Sequence, residues 1–235
     1  MIEIKPLGSS SAGNAYYVTD GCTALLLEAG IRHKDIQRAL NFQTSGLAGC
    51  LLSHEHGDHG KAAAEVMKAG IDVYASQGTL EALGLSGHRA KPIRAKHQFR
   101  IGTWSILPFD VQHDVAEPLG FLLANQAGEK LMFATDTYYI RYRFKGLTHI
   151  MVECNYSLQL LNENIAAGRV PAMMKKRLLR SHFSLENVKD FLLANDLFQV
   201  QEIWLLHLSD NNSDAAMFKR EIQELTGKPV LVAER

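Results

Sequence analysis

The chain has 235 residues, 46% apolar and 21% charged, the composition of a folded globular protein with enough length for one sizeable core, since domains run to roughly 100–200 residues. Disordered, collagenous and repeat-dominated polymers are excluded. Lys and Arg total 25 against 25 Asp and Glu, so the protein is not a uniformly basic polyanion binder.

In chain order, the first half reads as short β runs closed by turn residues: 2–5, 15–19, 23–28 and 49–52. A helix is expected over 61–68, where Ala69-Gly70 supplies a stop. Strand patterns resume at 71–75, 99–101, 104–111, 119–123, 131–135 and 150–153. The second half turns helical, over 157–167, 172–180, 184–195 with Ser184 as N-cap, and 212–226, with strands at 203–206 and 229–232. No linker or repeat splits the chain, so 1–235 reads as a single domain of sheets covered by helices.

No apolar run approaches the roughly 18 residues of a membrane span, and the N-terminus is not the start of a secretory signal. A soluble, cytoplasmic protein with no membrane partner is expected. Cys22, Cys50 and Cys154 form no Cys-x-x-Cys pair, which suits reduced thiols packed in strands. The balanced charge is unevenly spread. Three windows, 82–109, 137–152 and 164–185, contain no acid and hold five, three and five basic residues. They are either solvated surfaces or a basic face for a polyanion such as nucleic acid.

The chemistry is concentrated at residues 53–60, Ser-His-Glu-His-Gly-Asp-His-Gly. Chance would give His-x-His-x-Asp-His roughly once in a thousand such sequences, so the segment is read as a site. Imidazole and carboxylate ligands suit zinc, and also manganese or iron. His54 and His56, two apart in an extended turn, can share one ion, while Asp58 and His59, at the mouth of the next helix, suit a second. Further ligands must come from other strand ends, where His113, Asp136 and His207 each follow an apolar run. A lone strand-end histidine is commonly just packed; three such positions beside this motif point to ligands. His33, His88, His97 and His149 lack the pattern and read as structural or surface residues.

These residues resemble the metallo-β-lactamase superfamily over essentially the whole chain. The resemblance implies a mixed α/β (α+β type) fold, a four-layer αββα sandwich, with two divalent metal ions: His54, His56 and His113 on the first, Asp58, His59 and His207 on the second, and Asp136 shared. Within the superfamily the chain is similar to the small YycJ/WalJ-like group, through Gly8-Ser-Ser-Ser-Ala-Gly-Asn14, Glu153-Cys-Asn-Tyr156, the segment 171–177 leading into Ser181-His-Phe-Ser184, and His207-Leu-Ser-Asp210. That group implies a 5′ to 3′ exonuclease acting on DNA. Two departures stand out. Glu28 occupies the position of the usual Asp before Ala-Gly, and Ser181-His182-Phe183-Ser184 replaces Gly-His-Leu-Ser.

On this reading the enzyme is a metal-dependent hydrolase of ester bonds, a phosphodiesterase. Asp58 and His182 take catalytic roles, His182 as the acid that protonates the leaving oxygen. Ser10, Asn14, Asn155, Lys176 and Arg177 are candidate substrate contacts; a plain glycine-serine turn and a solvated helix face are the competing readings of the 8–14 and 175–180 stretches. A small-molecule hydrolase of the same fold, opening a cyclic phosphodiester, thioester or lactone, is the alternative function. A non-catalytic metal-binding protein is the third. Metal identity, DNA against RNA, and oligomeric state are open at this level.

Overall fold

In the computed structural model, which describes residues 1–233, the chain divides into two units interleaved in sequence. The first comprises Met1–Asp110 and Val115–Glu129, the second Val111–Asp114 and Lys130–Ala233. Among the described residues no helix is long and apolar enough to cross a membrane.

The short apolar runs of the first unit form strands because each is punctuated by Gly, Asn or Asp before a helix can nucleate. β1 (Glu3–Gly8), β2 (Ala15–Thr19), β3 (Ala24–Leu27), β4 (Leu47–Leu51), β5 (Val73–Ser76) and β6 (Ala90–Ile93) lie in that order in one sheet. β1, β2 and β3 pair antiparallel, and the remaining neighbours pair parallel. The connections carry α1 (His33–Ala39), α2 (Gly57–Gly60), α3 (Ala63–Lys68) and α4 (Gln77–Ala82). Leu26, Ile36, Cys50, Leu52, Val66, Val73 and Leu80 are among the buried residues of the core between this sheet and its helices. An antiparallel ribbon of β7 (Phe99–Ile101), β8 (Trp104–Asp110) and β9 (Leu119–Ala124) completes the unit. Its fully buried Trp104 donates its indole N–H to the Thr23 carbonyl at 3.0 Å.

In the second unit β10 (Lys130–Ala134), β11 (His149–Glu153), β12 (Glu202–Leu206) and β13 (Val230–Val232) run parallel in sequence order. Every residue of β11 is buried, as expected for a parallel strand covered on both faces. The helices α5 (Leu158–Ala166), α6 (Ala172–Ser181), α7 (Leu185–Leu193) and α8 (Ala215–Thr226) follow the patterns expected. Ser157, Ser184 and Asp214 cap α5, α7 and α8 through side-chain oxygens, and Gly227 ends α8 at φ 65°, the left-handed conformation that glycine adopts without a Cβ penalty.

Three local expectations need correction, and three elements were not expected. The helix expected over 61–68 begins earlier, with α2 at Gly57, and is interrupted at Ala62 before α3. α2, at whose mouth Asp58 and His59 were expected, is a single turn that includes both of them. α1, α4 and β6 had no clear sequence signal. β6 contains Pro92, which costs no ladder hydrogen bond only because this strand lies at the sheet edge. Cys50 and Cys154 are buried, but Cys22 is exposed in the turn 20–23, where its N–H donates to Asp20 Oδ1.

Candidate metal centre

The first unit presents the His-x-His-x-Asp-His turn where the apolar strand β4 ends. His54 is 1% exposed and His59 fully buried. The ring centroids of His54 and His56 lie 4.8 Å apart, and those of His54 and His59 4.2 Å apart, so three imidazoles gather in one turn. Two neighbouring loops hold it. Asn14 N–H donates to the Asp58 carbonyl at 2.8 Å, and Ala29 N–H to the His59 carbonyl at 2.7 Å. Gly30 passes so close that a Cβ there would meet the Asp58 carbonyl oxygen at 1.6 Å. Only glycine permits this approach.

Glu28 has φ 63° and is fully buried. Its Oε1 accepts the Ser53 N–H at 3.1 Å, and its Oε2 lies 3.5 Å from His59 Nδ1. The longer carboxylate therefore faces the motif histidine directly, the geometry of a ligand-orienting acid. Burial pushes the Glu28 carboxyl upward, against the pull of His59. Ser53 Oγ lies 2.8 Å from His54 Nδ1 and constrains that ring in the same way.

The second unit gathers its polar groups at the carboxyl ends of β10, β11 and β12, the edge where parallel sheets place their ligand sites. Asp136 follows β10 at φ 44°, Glu153 ends β11, and His207 follows β12 at φ 53°. Left-handed backbone at Asp136 and His207 costs about 1–3 kcal/mol of strain at each, the kind of outlier that clusters at functional sites. One ligand atom from each of Asp136, Glu153, His182 and His207 falls within a group no wider than 4.8 Å. His207 Nδ1 lies 2.9 Å from Asp136 Oδ1 and 3.2 Å from Glu153 Oε1. His113 Nε2 is 3.8 Å from Asp136 Oδ2, and its Nδ1 is 3.0 Å from the Ser181 carbonyl, which fixes the ring.

Glu153 was not among the site residues expected from the sequence. It is fully buried, its Oε1 is 2.6 Å from His182 Nδ1, and its Oε2 accepts the N–H groups of Thr137 and Phe183 at 3.0 and 3.1 Å. The available signal was a carboxylate ending an otherwise apolar strand. Burial alone would depress the His182 imidazole, but the Glu153 carboxylate, with Asp136 behind it, outweighs burial and holds His182 above the ordinary histidine value. Burial likewise raises Glu153, and His182 outweighs it to leave Glu153 below the ordinary carboxylate value.

The candidate substrate contacts lie in different settings. Asn14 is fully buried. Its amide Nδ2 is 3.2 Å from both the Asp58 carbonyl and His59 Nε2, and Tyr16 OH donates to its Oδ1 at 3.1 Å. Ser10 is 7% exposed and its Oγ accepts the Ala12 N–H. Asn155 is buried and donates to the His207 carbonyl at 2.8 Å. Both asparagine side chains therefore orient candidate ligands. Lys176 and Arg177 are exposed on α6, which ends at His182 as its C-cap. Neither makes an ion pair among the described residues.

The donor chemistry fits divalent cations. Within the second unit two buried carboxylates, Asp136 and Glu153, both contact His207, and buried anions so placed call for compensating positive charge. The turn of the first unit offers imidazoles and a carboxylate of the kind zinc, manganese and iron accept. Each unit thus presents donors of the kind a divalent ion takes.

Comparison with known proteins agrees. Residues 20–188 match the family model described as a β-lactamase superfamily domain. Exodeoxyribonuclease YycJ of Bacillus anthracis is 31% identical over 229 residues, covering 90% of this chain and 84% of the relative. Exodeoxyribonuclease WalJ of Streptococcus pneumoniae is 29% identical over 224 residues, covering 88% and 81%. Among solved structures, the metallo-β-lactamase fold protein YhfI of Bacillus subtilis superposes with a TM-score of 0.75 at 13% identity, covering 99% of this chain and 96% of that one. The fold class expected from the sequence is the one these comparisons show.

Proposed function

Since this chain belongs to the β-lactamase superfamily domain family, and is with it a metal-dependent hydrolase, we propose that it is a dinuclear phosphodiesterase that degrades DNA from the 5′ end. The names of its relatives support the nuclease reading, because the match covers most of both chains. The family match runs through segments of both units, which supports reading 1–235 as one domain. The cytoplasm is the proposed location.

We assign His54, His56 and His113 to one ion, Asp58, His59 and His207 to a second, and Asp136 to both, on the family's pattern. Zinc is the first choice, with manganese and iron as alternatives. Such ions supply Lewis acidity and lower the pKa of water, so that a nucleophile is available at neutral pH.

The chain's own residues supply the remaining chemistry. The observation that carries the reading is the Glu153–His182 pair: with Nδ1 donating to a buried carboxylate, the protonated ring keeps an Nε2–H to give. His182 protonates the departing oxygen, which suits a diester with a poor leaving group. Asp58, partly exposed beside His59, accepts a proton from the attacking water. Asn14 and Asn155 hold the ligand-bearing segments through Asp58, His59 and His207. Ser10 contributes to the loop that carries Asn14. Lys176 and Arg177 track the phosphates leading toward His182.

The test is a panel of labelled single- and double-stranded DNA and RNA, each with zinc and with manganese. Metal-dependent release from the 5′ end of DNA, with binding that weakens steeply as salt rises, is expected. Turnover confined to small cyclic diesters, thioesters or lactones, with no salt dependence, would assign the protein to the small-molecule hydrolases instead.

A further inference from the structure

A cavity of about 300 Å³ opens in the second unit between the loop that follows β10 and helix α7. Tyr139, Arg141, Tyr142 and Arg143 line it from the loop, and Asn187 and Asp190 from the helix. Its buried apolar lining is Ile140, Phe183 and Phe191. The volume is at the lower end of small-ligand sites, which span about 300–1,000 Å³. It admits one nucleotide and not a duplex.

Both walls are tied to the Glu153 carboxylate. Thr137, fully buried, donates its N–H to Glu153 Oε2, and its hydroxyl donates to the carbonyl of Tyr139 at 3.0 Å. Phe183 follows His182 directly and donates its own N–H to the same Glu153 oxygen. At its far end the loop is pinned where Phe144 N–H donates to Asn195 Oδ1 at 2.6 Å. The cavity walls and His182 are therefore anchored on one and the same carboxylate.

The lining chemistry identifies the occupant. Tyr139 is 56% exposed. Arg141 and Arg143 are exposed and make no hydrogen bond or ion pair among the described residues. Residues 137–152 contain no acid at all. Aromatic faces beside uncommitted guanidinium groups are what single-stranded nucleic acid binds, by stacking and by phosphate contact. Asp190, the one acid in the lining, suits an exocyclic amino group of a base and disfavours phosphate on the helix side.

Resting on the nuclease reading above, we infer that this cavity is a nucleotide subsite: it holds one unpaired nucleotide of the substrate strand next to the scissile phosphate, its base against Tyr139 and Tyr142 and its phosphate with Arg141 and Arg143.

The test compares the metal-loaded wild type with Tyr139→Ala, Tyr139→Phe and Arg141→Gln/Arg143→Gln. Each is titrated with a short phosphorothioate-linked single DNA strand, which resists hydrolysis, and assayed on methyl p-nitrophenyl phosphate, a diester with neither a nucleobase nor a second phosphate. Tyr139→Ala should weaken strand binding roughly 5- to 100-fold, the usual worth of a base–aromatic stack, and Tyr139→Phe should bind like wild type. The double arginine variant should bind more weakly and lower the salt slope by about 0.7 for each phosphate no longer neutralised. All variants should hydrolyse the small diester at the wild-type rate. Wild-type strand affinity and slope in both Tyr139→Ala and the arginine variant overturn the subsite. Failure of the nuclease reading looks different: the wild type itself then neither binds nor cleaves strands while still hydrolysing the small diester, and the subsite falls with it.

Discussion

His182 Nδ1 lies 2.6 Å from Oε1 of Glu153, a carboxylate with no exposed surface. Only the histidine has a solvent-facing edge, so the pair directs one ring nitrogen inward and leaves the other for substrate. His182→Ala should retain bound metal and fold but lose roughly 10²–10⁴-fold in turnover on DNA, the range of general acid catalysis. A nitrophenyl diester, whose leaving group needs no proton, should lose much less. Glu153→Gln should show the same leaving-group selectivity in milder form. A His182→Ala enzyme that cleaves DNA at the wild-type rate, or that has lost a metal, refutes the role.

Metal content is the second expectation. Seven candidate ligands exceed the four of one tetrahedral ion, so elemental analysis after loading should find two ions per chain. Asp136→Ala should disturb both and His207→Ala mainly one. A saturated stoichiometry of one ion would remove the dinuclear assignment.

Glu28 offers a test of ligand support. Glu28→Gln keeps the shape but removes the charge facing His59 Nδ1, and should weaken metal affinity by roughly 10- to 100-fold in chelator competition. Glu28→Asp should recover part of the loss, because aspartate tolerates the left-handed backbone at this position. Unchanged affinity in Glu28→Gln would leave the buried carboxylate with a purely structural role.

The basic face of α6 is tested by Lys176→Glu/Arg177→Glu. Both side chains are exposed, so the fold and the bound metals should be unaffected. DNA binding at low salt should weaken, and the salt slope should flatten by about 0.7–0.9 for each phosphate no longer neutralised. Equal slopes in mutant and wild type would make this helix face a solvated surface.

Thiol labelling should separate the cysteines. Cys22 is exposed and should react at once with a neutral-pH alkylating reagent. Burial pushes the Cys50 and Cys154 thiols well above the ordinary range, so both should react only on unfolding. Three fast equivalents in the native protein would contradict the packing of β4 and of the segment after β11.

The candidate metal-binding turn stood out in the sequence because His54, His56, Asp58 and His59 fall within six positions after an apolar strand. The same holds for Asp136 and His207, each of which directly follows a run of strand residues. Family membership was legible for a related reason, since the motifs that carry the resemblance are short local runs, and the fold class followed from that resemblance. What the sequence did not reveal was the role of Glu153, which meets His182 across 29 residues and His207 across 54. Nor did it reveal that Asn14 serves His59 from 45 residues away, or that an edge position makes β6 compatible with Pro92. Those relationships depend on which strands lie side by side and in what register, as where β11 and β12 bring Glu153 opposite Leu206, next to His207. Side-chain direction at a strand end is set by that pairing and by the backbone turn that follows it. A one-dimensional pattern names the polar residue at the end of a strand, but only the packed sheet determines what it faces.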